Sequence, residues 1–189
     1  MASSIRWTSA DLEALPDDGK RYEIIDGDLY VSKQPHYFHQ LVCNRLSARL
    51  QNWCDQTKTG QTTQAAGIIF AEDDDVAPDV IWISNERLAM TLEADGKLHG
   101  APELVIEVLS PGAKNEERDR EAKLKLYSRR GVSEYWMVDW RKRVIEVYRR
   151  EEAQLRLGYT LYEQDTLTTL LLPDFSYPMD ALFEGIRSK

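Results

Sequence analysis

The hydrophobic pattern changes period along the chain, and each change marks an element. Across residues 37–56, apolar side chains recur at Phe38, Val42, Leu46, Leu50 and Trp53, the three-to-four spacing of a helix with one buried face. In "PELVIEVLS" they run almost without interruption, as in a strand covered on both sides. "YEIIDGDLYVS" places Asp26-Gly27 between two β-prone arms, a strong hairpin signal. "TSADLEALP" predicts a short opening helix, with Thr8 as cap, Asp11 three residues on and Pro16 as stop. "AAGIIF" and "VAPDVIWIS" bracket "EDDD", which predicts a second strand pair around a solvated acidic turn. "NEERDREAKLKLYSRRG" reads as a helix closed by Gly131. "SEYWMVDW" and "RVIEVYRR" form a further strand pair around residues 141–143, residues 155–172 continue as strand, and "MDALFEGI" closes as a helix. The pattern predicts a mixed α/β or α+β fold: a central mixed sheet, flanking helices and additional hairpins.

Length adds that 1–189 is expected to be one domain. At 42% hydrophobic and 30% charged residues the chain has globular composition. It holds no apolar run of membrane-spanning length, and its first residues lack the layout of a secretory signal. Cys43 and Cys54 both fall on the 37–56 helix, so free thiols and a reducing cytoplasm are expected. Few soft ligands and no paired Cys-x-x-Cys spacing argue against zinc.

Net charge is −8, which opposes a general affinity for nucleic acid. It is unevenly spread: residues 114–150 carry 12 Lys/Arg against 7 Asp/Glu, so that segment is +5 and the remainder −13. A local basic region can still meet phosphates, although "RR" and "RKR" taken separately read as surface and hairpin residues.

The chemistry begins with two carboxylates in apolar surroundings. With a strand period of two, Val105, Glu107 and Leu109 share one face and Leu104, Ile106 and Val108 the other. Asp79 follows Pro78 and precedes Val80, Ile81 and Trp82. Either acid alone suits a strand end that reaches water or pairs with an arginine; together they suggest a shared cation, with oxygen ligands favouring Mg²⁺ or Mn²⁺. On the helix that follows, Ala122, Leu126 and Tyr127 define an apolar arc and Lys123 points into it. Lys125 points to solvent, and Asp119 lies one turn before Lys123 as a partner. Such a lysine either snorkels to the surface or aims an ammonium at a carboxylate cluster.

"YEIIDG", "APDVIWIS", "PELVIEVLSP", "DREAKLKLY" and "GVSEYWMVDW" together resemble, in order and spacing, the Uma family of restriction-endonuclease-like proteins, within the PD-(D/E)XK nuclease superfamily. The resemblance spans residues 12–148 and implies a restriction-endonuclease-like core. It also implies that Pro78-Asp79 is the PD element, Glu107 the second metal-binding acid, Glu23 an early acid of the same metal site, and His39 a histidine near the start of the following helix. The superfamily pattern places a lysine two residues after the second acid, where this chain has Leu109; the resemblance implies that Lys123 takes over that role.

Other features read more simply. His36 and His39, three apart near a helix start, suit a surface pair or a cap contact better than a shared metal. "EDDD" lacks a calcium-loop pattern. Tyr127, Tyr135, Trp136 and Trp140 suit core packing better than base stacking. No phosphate-cradling glycine loop or serine-hydrolase context is present. The expected function is Mg²⁺- or Mn²⁺-dependent hydrolysis of DNA phosphodiesters, with Asp79, Glu107 and Glu23 holding the metal and Lys123 assisting. The alternative is a catalytically inactive nuclease-fold module for nucleic-acid or protein interaction. A homodimer is expected, because a duplex has two strands and sheet edges need cover.

Overall fold

A computed structural model of the chain describes residues 6–112 and 118–186. Its centre is a six-stranded sheet in the order β10-β9-β8-β7-β6-β3: β3 (Gly60–Gln64), β6 (Val80–Ser84), β7 (Leu104–Val108), β8 (Glu134–Asp139), β9 (Val144–Glu151) and β10 (Gln154–Leu161). All neighbours run antiparallel except β7 and β8. A parallel pair needs a crossover, and here it holds a π-helical turn (Arg118–Ala122) that runs directly into α4 (Lys123–Arg130). Gly131, at φ 91°, ends α4 in the left-handed conformation.

The two faces of the sheet are covered differently. Leu104, Ile106 and Val108 pack with Val42, Leu46 and Leu50 of α2 (Tyr37–Thr57) and with Leu182 and Phe183 near the C-terminus. Val105 and Leu109 pack with Leu126 and Tyr127 of α4 and with Ile25, Ile68 and Val76 of a second sheet. The alternation read from "LVIEVLSP" therefore divides the interior into two cores.

That second sheet has four antiparallel strands in the order β2-β1-β5-β4: β1 (Arg21–Ile25), β2 (Asp28–Ser32), β4 (Ile68–Ala71) and β5 (Asp74–Val76). Asp26 and Gly27, at φ 52° and 76°, make the tight turn of β1 and β2. A smaller pair, β11 (Thr166–Thr168) and β12 (Ser176–Pro178), precedes α5 (Met179–Phe183). The opening helix α1 (Ser9–Glu13) has the capping box of Thr8 and Asp11.

The structure departs from the pattern in four places. "AAGIIF" and "VIWIS" do not pair: β4 pairs with β5, and after Pro78 the chain enters the large sheet as β6, beside β3 and β7. Proline has no N–H to donate to a ladder, so the break falls there. "EDDD" is not one solvated turn. Asp74 and Asp75 lie in β5, and Asp74 is wholly buried. Two elements gave no hydrophobic signal: β3, a polar edge strand "GQTTQ", and α3 (Asn85–Thr91), which has no buried residue. The expected helix over "NEERDREAKLKLYSRRG" is a π turn followed by an α-helix, and residues 115–117 lie outside the described residues.

Candidate active site

β6, β7, β1, α2 and the crossover converge on a cleft of about 300 Å³ lined by Asp79, Glu107, Lys123, His39, Arg21 and Arg118, among others. Glu107 arrives on the β7 face that looks toward the crossover, and the first residue of α4 faces it. Lys123 Nζ donates to Glu107 Oε1 at 2.8 Å and lies 3.1 Å from Glu23 Oε1. Only 1% of Lys123 is exposed. Because the crossover packs on the sheet face that carries Glu107, an inward lysine in its first α turn reaches the carboxylate from the side. Leu109, on the same face, is fully buried in the apolar core.

Tyr127, one turn beyond Lys123, donates to the same Glu107 oxygen at 2.7 Å. Both of these hydrogen bonds fall on Oε1, while a carboxylate offers roughly four lone-pair sites. Asp79 is more heavily engaged. It accepts from Arg21 Nη1 at 3.1 Å and from the Val108 N–H at 2.9 Å, and His39 Nε2 lies 3.2 Å away. Glu23 accepts from the Ala77 N–H at 3.0 Å, and Arg118 Nη1 lies 3.9 Å from its other oxygen. Glu23 thus sits behind Lys123 rather than along the cleft wall. Asp119 pairs directly with Arg118, Nε to Oδ1 at 2.8 Å, rather than with Lys123.

The electrostatics follow from burial and from an unequal count. Among the described residues four carboxylates (Glu23, Asp79, Glu107, Asp119) meet three permanent cations (Arg21, Arg118, Lys123). Burial pushes Glu107 up to about 7; Lys123 opposes this, and the charges of Asp79, Glu23 and Asp119 add to the rise. Burial would also strip Lys123 of its proton, but Glu107, Glu23 and Asp119 hold it above the ordinary ammonium value. The ammonium therefore stays charged, and the surplus negative charge falls on Glu107. Burial alone would raise Asp79 too, yet His39, Lys123 and Arg21 keep it well below the usual carboxylate range. Glu23 also ends low, because Lys123, Arg118 and the Ala77 N–H outweigh its burial.

These donors suit a hard divalent cation. The free acceptor capacity lies on carboxylate oxygens of Asp79 and Glu107, and the cluster has one negative charge in excess. A softer set is also close: His39, Cys43 and Asp79 offer ligand atoms within 4.8 Å of one another. Burial, together with Asp79 and Glu107, pushes the Cys43 thiol far up, which keeps it protonated and a poor ligand. His39 Nδ1 lies 3.6 Å from Cys43 Sγ, so this trio reads as support that orients His39 toward Asp79.

A family model described as "Putative restriction endonuclease" matches residues 9–180. The chain belongs to the Uma2 family. Nuclease is accordingly the coarse activity class of this Uma2 chain. A solved structure from Anabaena variabilis ATCC 29413, described as a putative nuclease belonging to DUF820, is 16% identical in sequence. It superposes with a TM-score of 0.73 over 93% of this chain and 97% of that one. The likeness shows the restriction-endonuclease-like fold. None of the curated proteins matches the chain.

In the Uma2 fold the remaining candidates separate clearly. His36 caps α2, its Nδ1 accepting from the Phe38 N–H at 3.1 Å, while His39 turns inward, so the two histidines do not converge. Tyr127, Tyr135, Trp136 and Trp140 are all buried. The arginines of the basic segment are partly exposed surface and hairpin residues, as read from the sequence, and they are already engaged within the protein. Arg120 pairs with Glu146, Arg143 with Glu163, Arg149 with Glu134, and Arg141 with Asp139, while Arg150 donates to backbone carbonyls. Sequence reasoning did not select Arg21, Arg118 or the Tyr127 hydroxyl. Two signals were present: Arg21 shares a strand face with Glu23, and Tyr127 shares a helix face with Lys123.

Proposed function

We propose that this protein is a Mg²⁺- or Mn²⁺-dependent endonuclease that hydrolyses DNA phosphodiester bonds. The observation that carries the reading is the Lys123 ammonium, buried between Glu107 and Glu23 beside Asp79 in one cleft. Asp79 and Glu107 would hold the cation. Bound there, it supplies Lewis-acid polarisation of the scissile phosphate and activation of water.

The protein's own groups do the rest. The Val108 N–H and His39 fix the orientation of Asp79, and Tyr127 fixes one oxygen of Glu107, which lines the cleft. Lys123 has three N–H donors; two are engaged by Glu107 and Glu23, and the third offsets charge developing on a phosphoryl oxygen. Glu23 positions Lys123, and joins the cation only if the ammonium yields. The buried thiols of Cys43 and Cys54 suit a reducing cytoplasm. A homodimer would cover the open sheet edge at β10.

Purified protein is expected to nick or cut DNA with Mg²⁺ or Mn²⁺, and Asp79→Ala and Lys123→Ala to abolish that activity. Equal activity in all three would expose a contaminant. Calorimetry with Mn²⁺ separates the rival reading, because a chain that binds no cation is an inactive nuclease-fold module.

A further inference from the structure

Almost every cation near the cleft is already used inside the protein. Lys20 pairs with Asp18, Arg21 with Asp79, and Arg118 with Asp119 and the Ser32 hydroxyl. Lys33 is different: it is exposed, lines the cleft, and has no hydrogen bond or ion pair among the described residues. A second hollow of about 440 Å³ adjoins the cleft and shares with it Ser32, Lys33, Gln34, Pro35 and Ser110. It ends at His36, an exposed residue whose ring stacks on buried Trp140 with centroids 4.8 Å apart and planes 20° apart. Trp140 supports one face of that imidazole.

A duplex presents two phosphate strands, and proteins that grip it neutralise several phosphates at once. Among the described residues one free ammonium stands beside the acidic cleft, and one alone cannot do that. It can hold one phosphate of one strand, and a supported aromatic ring a few residues on can carry an unstacked base. We propose that the hollow from the carboxylate cleft past Lys33 to His36 seats a single DNA strand, with Lys33 on a phosphate flanking the scissile one and His36 stacked on a base. This rests on the nuclease reading above and adds that the substrate enters as a single-stranded or frayed segment.

Fluorescence anisotropy in Ca²⁺, using the full chain, a short labelled single-stranded DNA and its duplex, tests this directly. The single strand is expected to bind more tightly than the duplex. Lys33→Gln is expected to weaken binding about tenfold and to flatten the log–log salt slope by about 0.7, the value for one phosphate of a single strand. His36→Asn keeps an acceptor for the helix cap but removes the ring; it is expected to weaken binding about tenfold with the salt slope unchanged. Lys125→Gln, at an exposed cation of α4 that does not line the cleft, is expected to bind as wild type. Tighter duplex binding, or wild-type binding by either the Lys33 or the His36 variant, overturns the proposal. Mn²⁺ calorimetry keeps the two readings apart. Failure of the nuclease reading removes cation binding and leaves the strand results standing, whereas failure of the strand proposal leaves cation binding intact in all variants.

Discussion

Of the places where the described residues set buried acids against cations, two draw in more than one acid and more than one cation, and only one of those reads as a candidate site. In the first, Asp74 accepts from Arg129 at 2.8 Å, from Arg130 at 2.5 Å and from the Asp26 N–H at 2.8 Å, while Arg129 also pairs with Asp26. Two acids meet two arginines, and the cluster pins the end of α4 to the second sheet. In the second, Glu107, Asp79, Glu23 and Asp119 meet Lys123, Arg118 and Arg21, with one acid in surplus, and the cluster opens on a cleft. Burial and pairing are common to both. A charge imbalance and a solvent path distinguish the place proposed to take up a cation from the one that fastens the fold.

Mutations should pull these two regions apart. The largest effect is expected from Lys123→Ala, which leaves Glu107 and Glu23 buried without their shared cation. Breaking such a buried pair costs about 3–5 kcal/mol, readable by urea unfolding. Next, Glu107→Gln keeps a hydrogen-bond acceptor for Tyr127 but removes the surplus charge. Changing a residue behind a metal ligand typically costs 10–100-fold, so altering the proposed ligand itself is expected to cost Mn²⁺ affinity and nuclease activity at least about 100-fold. Stability at pH 8 should stay level or rise. The mirror image is Asp74→Asn, which should lower stability by about 1–3 kcal/mol while leaving activity per folded molecule intact. The cost is moderate because Arg129 and Arg130 are partly exposed and regain water. If Asp74→Asn abolished activity and spared stability, the distinction between the clusters would collapse.

A further effect concerns pH. Below about 4.5, the ordinary glutamic acid value, Glu107 holds its proton folded or unfolded. As pH rises the unfolded chain loses that proton first, while the folded protein keeps it until about 7. Stability in EDTA should therefore fall across pH 4.5–7 from this group and then level off. Asp79 and Glu23, both lowered, act with opposite sign and only at more acid pH. Thermal melts of wild type and Glu107→Gln across this window check the assignment, since the variant should lack that slope.

Glu107 and Lys123 were legible because strand and helix periods fix which way each side chain points once the elements are right. The meeting of the two depends only on a crossover packing onto the sheet it leaves, a general rule of parallel connections. Arg118 and Arg21 were not legible, since their value depends on how the second sheet lies against the crossover, and no local period encodes that angle. The fate of "EDDD" was hidden for a related reason: Asp74 is tolerable inside only because two arginines more than fifty residues later reach it. β3 escaped notice because a polar edge strand borrows its order from β6.

Carrying the ammonium on the crossover has a mechanical consequence. A lysine at position 109 would ride on the end of β7, anchored by the Leu109 N–H donating to the Val138 carbonyl. Lys123 instead rides on a helix seated by side-chain packing and by hydrogen bonds from Arg150 and the Leu155 N–H to Tyr127 and Ser128, so its position is set by how α4 docks and not by the ladder of the sheet. The place of the ammonium thus depends on everything that seats α4, including the hold of Asp26 and Asp74 on Arg129 and Arg130 at its far end.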